Sequence, residues 1–180
     1  MAASMKRKAA YKTIVPVAIF LLPLVLMLSG CSGGYSFTGA SIPAQAKTIS
    51  IEPFPNFAST VNPQLSQKLY DELQQMFSSQ TSLNVIDEDG DLQISGEITD
   101  YSTRPSSISS DDNVATNRLT VTIKVSFTNR YDSKTDFEQS FSRFKDYSAA
   151  RDFSSVEQSL VGEIVTELCE DIFNKSVVNW

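Results

Sequence analysis

From Arg118 to Tyr131 the chain keeps a two-residue rhythm. Leu119, Val121, Ile123, Val125, Phe127 and Tyr131 share one parity. Arg118, Thr120, Thr122, Lys124, Ser126, Thr128 and Arg130 share the other. Only an extended strand puts such residues on two separate faces; a helix would scatter them around its circumference. One oily face and one hydroxyl-rich, cationic face describe an antiparallel strand that is covered on one side and wet on the other. The fold must therefore supply a cover for the oily side.

Two stretches have the spacing to do so. Asn62-Pro63 reads as a helix start, with asparagine as N-cap and proline at the first helical position. Leu65, Leu69, Leu73, Met76 and Phe77 then form one stripe on a helix expected over 62–79. A second helix is expected over 155–176, where Val156, Leu160, Ile164, Leu168 and Ile172 recur every four residues. Val161, Val165, Cys169 and Phe173 widen that stripe, and Ser154 with Glu157 reads as a capping box. Further strands are expected at 48–52, ended by Pro53 and Pro55, at 83–87, at 91–104 and at 136–147. Gly96 marks a bulge or a close approach. Phe144 breaks the phase of Phe137, Phe141 and Tyr147, which suggests a bulge there. The expected fold is α+β: a two-layer sandwich with two amphipathic helices on one face of a four- to five-stranded, mainly antiparallel sheet.

Composition narrows the chemistry. The chain has no histidine, which removes the commonest general base and metal ligand. It shows no nucleophile elbow and no phosphate loop. Glu163, Glu167 and Asp171 stand at i,i+4 spacing, a pattern commoner on a solvated helix face than in acid–base work. Asp87 to Asp91 is an acidic turn without the spacing of a calcium loop. The reading is therefore not an enzyme, with no metal site and no cofactor. Cys169 falls in the apolar stripe and reads as a small buried hydrophobe.

The N-terminus differs in kind. Lys6, Arg7, Lys8 and Lys12 precede an apolar run from Ile14 to Leu28, which holds Pro16 and Pro23. That run is about 15 residues, shorter than the roughly 20 a spanning helix needs. Leu28-Ser29-Gly30-Cys31 follows and resembles the lipobox of bacterial lipoproteins. The resemblance implies that residues 1–30 are a signal peptide removed before Cys31, and that Cys31 carries acyl and diacylglycerol chains. Residues 31–45 are then the lipidated tether with a short edge strand around Tyr35 and Phe37. Residues 46–180 are one α+β domain. Ser32 stands where, in similar enterobacterial lipoproteins, aspartate favours inner-membrane retention, which implies outer-membrane anchoring on the periplasmic side. Without the leader, 11 Lys and Arg face 21 Asp and Glu, a balance of −10. So acidic a domain is not expected to bind nucleic acid.

Several segments together resemble one family. These are Gly34-Tyr35-Ser36-Phe37-Thr38-Gly39-Ala40-Ser41, Thr48 to Asn56, the Leu65-Leu69-Leu73 helix, and Gly96-Glu97-Ile98-Thr99-Asp100-Tyr101. They resemble the lipopolysaccharide-assembly lipoprotein family LptE in its Bacteroidetes-type form. The resemblance implies two helices on a four-stranded sheet. It also implies a plug inside an LptD-like outer-membrane β-barrel that helps the barrel assemble and deliver lipopolysaccharide to the outer leaflet. A plug needs a polar surface to match a polar lumen. Arg118, Lys124 and Arg130 on the wet strand face are candidate contacts to the barrel or to lipopolysaccharide, and Arg143 and Lys145 on the next strand are candidates to extend the patch. The first three stand six residues apart, about 20 Å along a strand, too far for one phosphate clamp. The same face also reads as an ordinary solvated sheet surface. The alternative function is a periplasmic adaptor or pilotin for another outer-membrane barrel. A third reading is an unpartnered envelope lipoprotein with a closed apolar ligand pocket.

Overall fold

The computed structural model describes residues 42–107 and 115–178. The leader, Cys31 and the edge strand expected around Tyr35 and Phe37 lie outside these residues. Along the chain run β1 (Thr48–Ile51), α1 (Leu65–Gln80), β2 (Asn84–Ile86), β3 (Leu92–Ser107), β4 (Thr116–Asn129), a 3-10 turn (Ser133–Thr135), β5 (Phe137–Ser148) and α2 (Phe153–Val177). The strands form one open sheet in the order β2-β1-β3-β4-β5. β3, β4 and β5 are antiparallel, while β1 runs parallel to both β2 and β3. The expected α+β two-layer architecture is present, with a mixed rather than uniform sheet. The parallel pair follows from α1, which carries the chain back across the sheet between β1 and β2.

Both helices cover the same face. The α1 stripe of Leu65, Leu69, Leu73, Met76 and Phe77 is buried. So is the wider α2 stripe, Cys169 included. Phe77 of α1 meets Phe173 of α2 with ring centroids 5.0 Å apart. Beneath them lie Ile49, Ile51, Ile94, Ile98, Leu119, Val121, Ile123 and Val125, each essentially inaccessible to solvent. At about 1.5–3 kcal/mol for each large side chain removed from water, this layer is the main source of stability. Burial also pushes the Cys169 thiol above its usual range, which fits an inert core residue.

Local expectations shift in five places. Helix α1 starts at Leu65 rather than at Pro63. Asn62 still organises the entry, because its Oδ1 accepts from Gln64 N at 2.9 Å and its carbonyl accepts from Leu65 N. The capping box at Ser154 does not form: the residue flanking α2 is Asp152, and no side chain caps it. Strand β4 ends at Asn129, so Tyr131 leaves the oily face and is 47% exposed. Gly96 makes a close approach and no bulge, since an added Cβ would meet Lys124 O and would lie 2.6 Å from Phe54 Cε1. The bulge lies three residues on, between Ile98 and Asp100. Finally, β5 pairs with β4 without interruption, so Phe144 is no bulge and points to the wet face.

The bulge at Thr99 has a structural effect. It resets the alternation, so that Ile98 and Tyr101 both face the helices. Tyr101 then donates its hydroxyl to Glu157 Oε1 at 2.6 Å. Asn62 Nδ2 reaches the same carboxylate oxygen at 2.8 Å. Sheet, α1 entry and α2 entry are tied at one polar knot. Burial, together with the bond to Glu157, pushes the Tyr101 phenol well above its usual range.

Candidate interaction surface

The face of β3–β5 opposite the helices is the uncovered one. Cross-strand register arranges it in rows: Ser95, Ser126 and Glu138; Glu97, Lys124 and Ser140; Asp100, Thr122 and Ser142; Ser102, Thr120 and Phe144; Arg104, Arg118 and Asp146. It is a surface of hydroxyls and charges. Thr122 and Ser142 hydroxyls share a hydrogen bond at 2.9 Å.

Two of the three described cations on this face, Arg118 and Lys124, are paired. Arg118 donates from Nε and Nη2 to both oxygens of Asp146, at 2.8 and 2.9 Å. That bidentate pair holds the Asp146 carboxyl below the usual carboxylate range and raises Arg118. Lys124 Nζ lies 2.6 Å from Glu138, a hydrogen bond that raises the lysine. All four groups are well exposed, so these pairs set charge pattern more than stability.

The five candidate contact residues fall into three groups. Arg118 and Lys124 share the wet face, each with its own carboxylate. Arg130 lies past the end of β4, where its guanidinium is 3.6 Å from Asp91 and donates to Asp89 O. Arg143 and Lys145 do not extend the patch. They share parity with Phe141 and Tyr147 and so sit on the helix side of the sheet. There Arg143 grips Asp171 of α2 through two bonds of 2.6 Å. Lys145 bridges Glu163 at 3.3 Å and Glu167 at 2.6 Å. The i,i+4 carboxylates of α2 are thus partners of β5.

The acidic turn also has a structural task. Asp91 accepts from Lys47 N at 2.8 Å, Thr48 N at 3.2 Å and the Tyr131 hydroxyl at 3.1 Å. The Lys47 amide chiefly holds its carboxyl below the usual range. Asp87, Glu88 and Asp89 line an open cleft of about 480 Å³ with Glu52 and Tyr70. Among the described residues no group of His, Cys, Asp and Glu is placed to hold a metal ion. Nor is any described helix long and apolar enough to cross a membrane.

Over residues 46–176, almost every element above, the sequence matches the family described as LptE, lipopolysaccharide-assembly. The chain belongs to the LptE family. LptE proteins are non-enzymatic envelope lipoproteins associated with the lipopolysaccharide-transport machinery. No curated protein matches the chain in sequence. Among solved structures, the chain is similar in fold to a hypothetical protein from Chlamydia trachomatis, with 11% identity and TM-score 0.50, covering 74% of this chain and 99% of that one. It is also similar to the rare lipoprotein B from Shewanella oneidensis, with 14% identity and TM-score 0.48 over 71% and 92% of the two chains. A minor lipoprotein from Acinetobacter baumannii gives 13% identity and TM-score 0.48 over 72% and 91%.

Sequence reasoning missed three features of the LptE-like site. Phe144 was legible as polar-face only once β5 is known to be unbroken. Arg104 stands opposite Arg118 in register, a pairing that only the bulge-corrected alignment reveals. The Asn62–Tyr101–Glu157 knot had one signal, the three-residue gap from Ile98 to Tyr101 where two would keep phase.

Proposed function

We propose that this LptE-family chain is an outer-membrane lipoprotein, acylated at Cys31, that plugs and helps assemble an LptD-like β-barrel and so supports lipopolysaccharide delivery to the outer leaflet. The observation that carries the reading is the exposed sheet face. Two ion pairs take up four of the seven charges on its described residues, the other three nearly balance, and the remaining positions are mostly hydroxyls. Such a surface fits a polar lumen, because it offers many adaptable hydrogen bonds and little net field. It suits lipid phosphate less well, since among the described cations of this face a phosphate would find only Arg104 without an ion-pair partner and would have to displace Asp146 from Arg118 and Glu138 from Lys124 to reach more than one cation. The barrel is therefore the partner of this face, and any contact with lipopolysaccharide is secondary there.

The test is affinity purification of the C-terminally tagged full-length protein from detergent-solubilised envelopes, with mass spectrometry of its partners. A stoichiometric barrel of the lipopolysaccharide-transport type is the expected result. A secretin or another assembly barrel in its place would replace the plug by an adaptor or pilotin role. Recovery of the chain alone would overturn both.

A further inference from the structure

The uncovered sheet face is not uniform. Its Glu97 and Glu138 rows hold two carboxylates and one lysine. The row of Arg104, Arg118 and Asp146, toward the β3–β4 connection, holds two guanidiniums and one carboxylate. Beside it stands Phe144, 49% exposed, the one large apolar side chain that the described residues of β3, β4 and β5 present on this face. Its row neighbours Thr120 and Ser102 are short, so the ring has no tall side chain beside it along the row. The Arg118 guanidinium lies 3.6 Å over the ring centroid and is itself fixed by both oxygens of Asp146. Aromatic ring, arginine and aspartate thus form a preorganised stack, which lowers the entropy lost on binding.

Arg104 completes the arrangement. It faces Arg118 directly across the β3–β4 pair, an unfavourable like-charge juxtaposition. Among the described residues it has no ion-pair partner. Asp146 is already engaged by Arg118, so a carboxylate brought from outside would relieve the repulsion.

We infer that Phe144 and Arg104, with Arg118 as the positioning residue between them, are the anchor by which this face grips its partner. The partner surface is protein: an apolar or aromatic side chain that stacks on Phe144 beside a carboxylate that pairs with Arg104. This rests on the plug reading and names where on the face the barrel wall is held. Anchors of this composition, an aromatic ring with arginine, dominate binding energy in protein interfaces.

The test uses the full-length tagged lipoprotein in envelopes. A photo-crosslinking aromatic residue is placed at position 144, and at position 170 on the exposed side of α2 as a control. Barrel recovery is compared for Phe144→Ala, Arg104→Glu and Phe144→Trp. Position 144 is expected to give a barrel adduct and position 170 none. Phe144→Ala and Arg104→Glu are each expected to lower recovered barrel about tenfold, and Phe144→Trp to retain it. Circular-dichroism melting of each purified variant reports folding, and the adduct at 144 decides the case for any variant that melts early. If the unaltered protein recovers barrel while 144 gives no adduct and both variants recover as much, the anchor is wrong and the plug reading survives. If 144 crosslinks to lipopolysaccharide and not to protein, the partner chemistry is wrong. If the unaltered protein recovers no barrel, the plug reading fails and the anchor fails with it.

Discussion

Single residues decide this fold where backbones meet. Gly90 is a glycine for lack of room and not for an unusual φ. An added Cβ would lie 2.6 Å from Leu92 O and 2.7 Å from Ile49 C, and closer still to Ser50 N. All three neighbours are backbone of β1 and β3, which cannot swing away as a side chain can. Gly90→Ala is therefore expected to destabilise by about 3 kcal/mol, the upper part of the overpacking range, in urea denaturation. Gly96→Ala should cost less, because one of its two nearest neighbours is the Phe54 ring. Equal losses at the two sites would contradict this account. The Asn62–Tyr101–Glu157 knot gives a second expectation. Tyr101→Phe removes one hydroxyl and leaves Glu157 with Asn62, so a loss of about 1 kcal/mol is expected in the same measurement. An unchanged midpoint would mean that the knot is incidental to stability.

At the scale of elements, parity explains both what was legible and what was not. β4 was readable because its apolar residues fill a single face against a continuous helical cover. The α1 and α2 stripes were readable for the same reason: Leu65, Leu69 and Leu73, and Val156 to Ile172, each repeat at helical spacing over several turns. The ends were not, since Tyr131 keeps the parity of β4 but stands beyond the strand, where a turn redirects the chain. In β5 it is Phe144 that hides the strand's parity. An aromatic residue on the wet parity looks like a phase break, while the odd positions 137, 141, 143, 145 and 147 share one face throughout. Recognising that parity would also have moved Arg143 and Lys145 to the helix side. Register in β3 was hidden for a different reason: a bulge adds one residue without a composition of its own. Deleting Thr99 should remove the bulge and leave Ile98, Asp100 and Tyr101 in regular alternation, so Tyr101 should stay on the helix side with its bond to Glu157. Unchanged protection of the Tyr101 ring from solvent, read by tyrosine fluorescence quenching in comparison with Tyr101→Phe, is the expected result. Increased quenching would mean that the register beyond Ile98 does not follow the parity of the residues.

For the whole molecule, the expectations concern anchoring and partnership. Cys31→Ala should leave the precursor uncleaved and unacylated, seen as slower gel mobility and no incorporation of labelled fatty acid. Mobility and membrane fractionation identical to the unaltered protein would remove the lipoprotein reading. Charge reversal of Lys124 should set a new carboxylate between Glu97 and Glu138, and barrel recovery should fall without a change in the melting of the domain. Arg130→Glu, on the turn beside Asp91, should leave recovery closer to normal, because that side chain stands off the face. Equal effects of the two reversals would spread the interface beyond β3–β5. The ion pairs of Arg143 and Lys145 have one more consequence. They place charge on the inner side of the sheet's last long strand, beneath the overhang of α2. A stray extended chain adding alongside β5 would have to accommodate those charges and their carboxylate partners, which discourages edge-to-edge pairing of one copy with another. The β5 edge thus carries its own stop signal, a safeguard against aggregation.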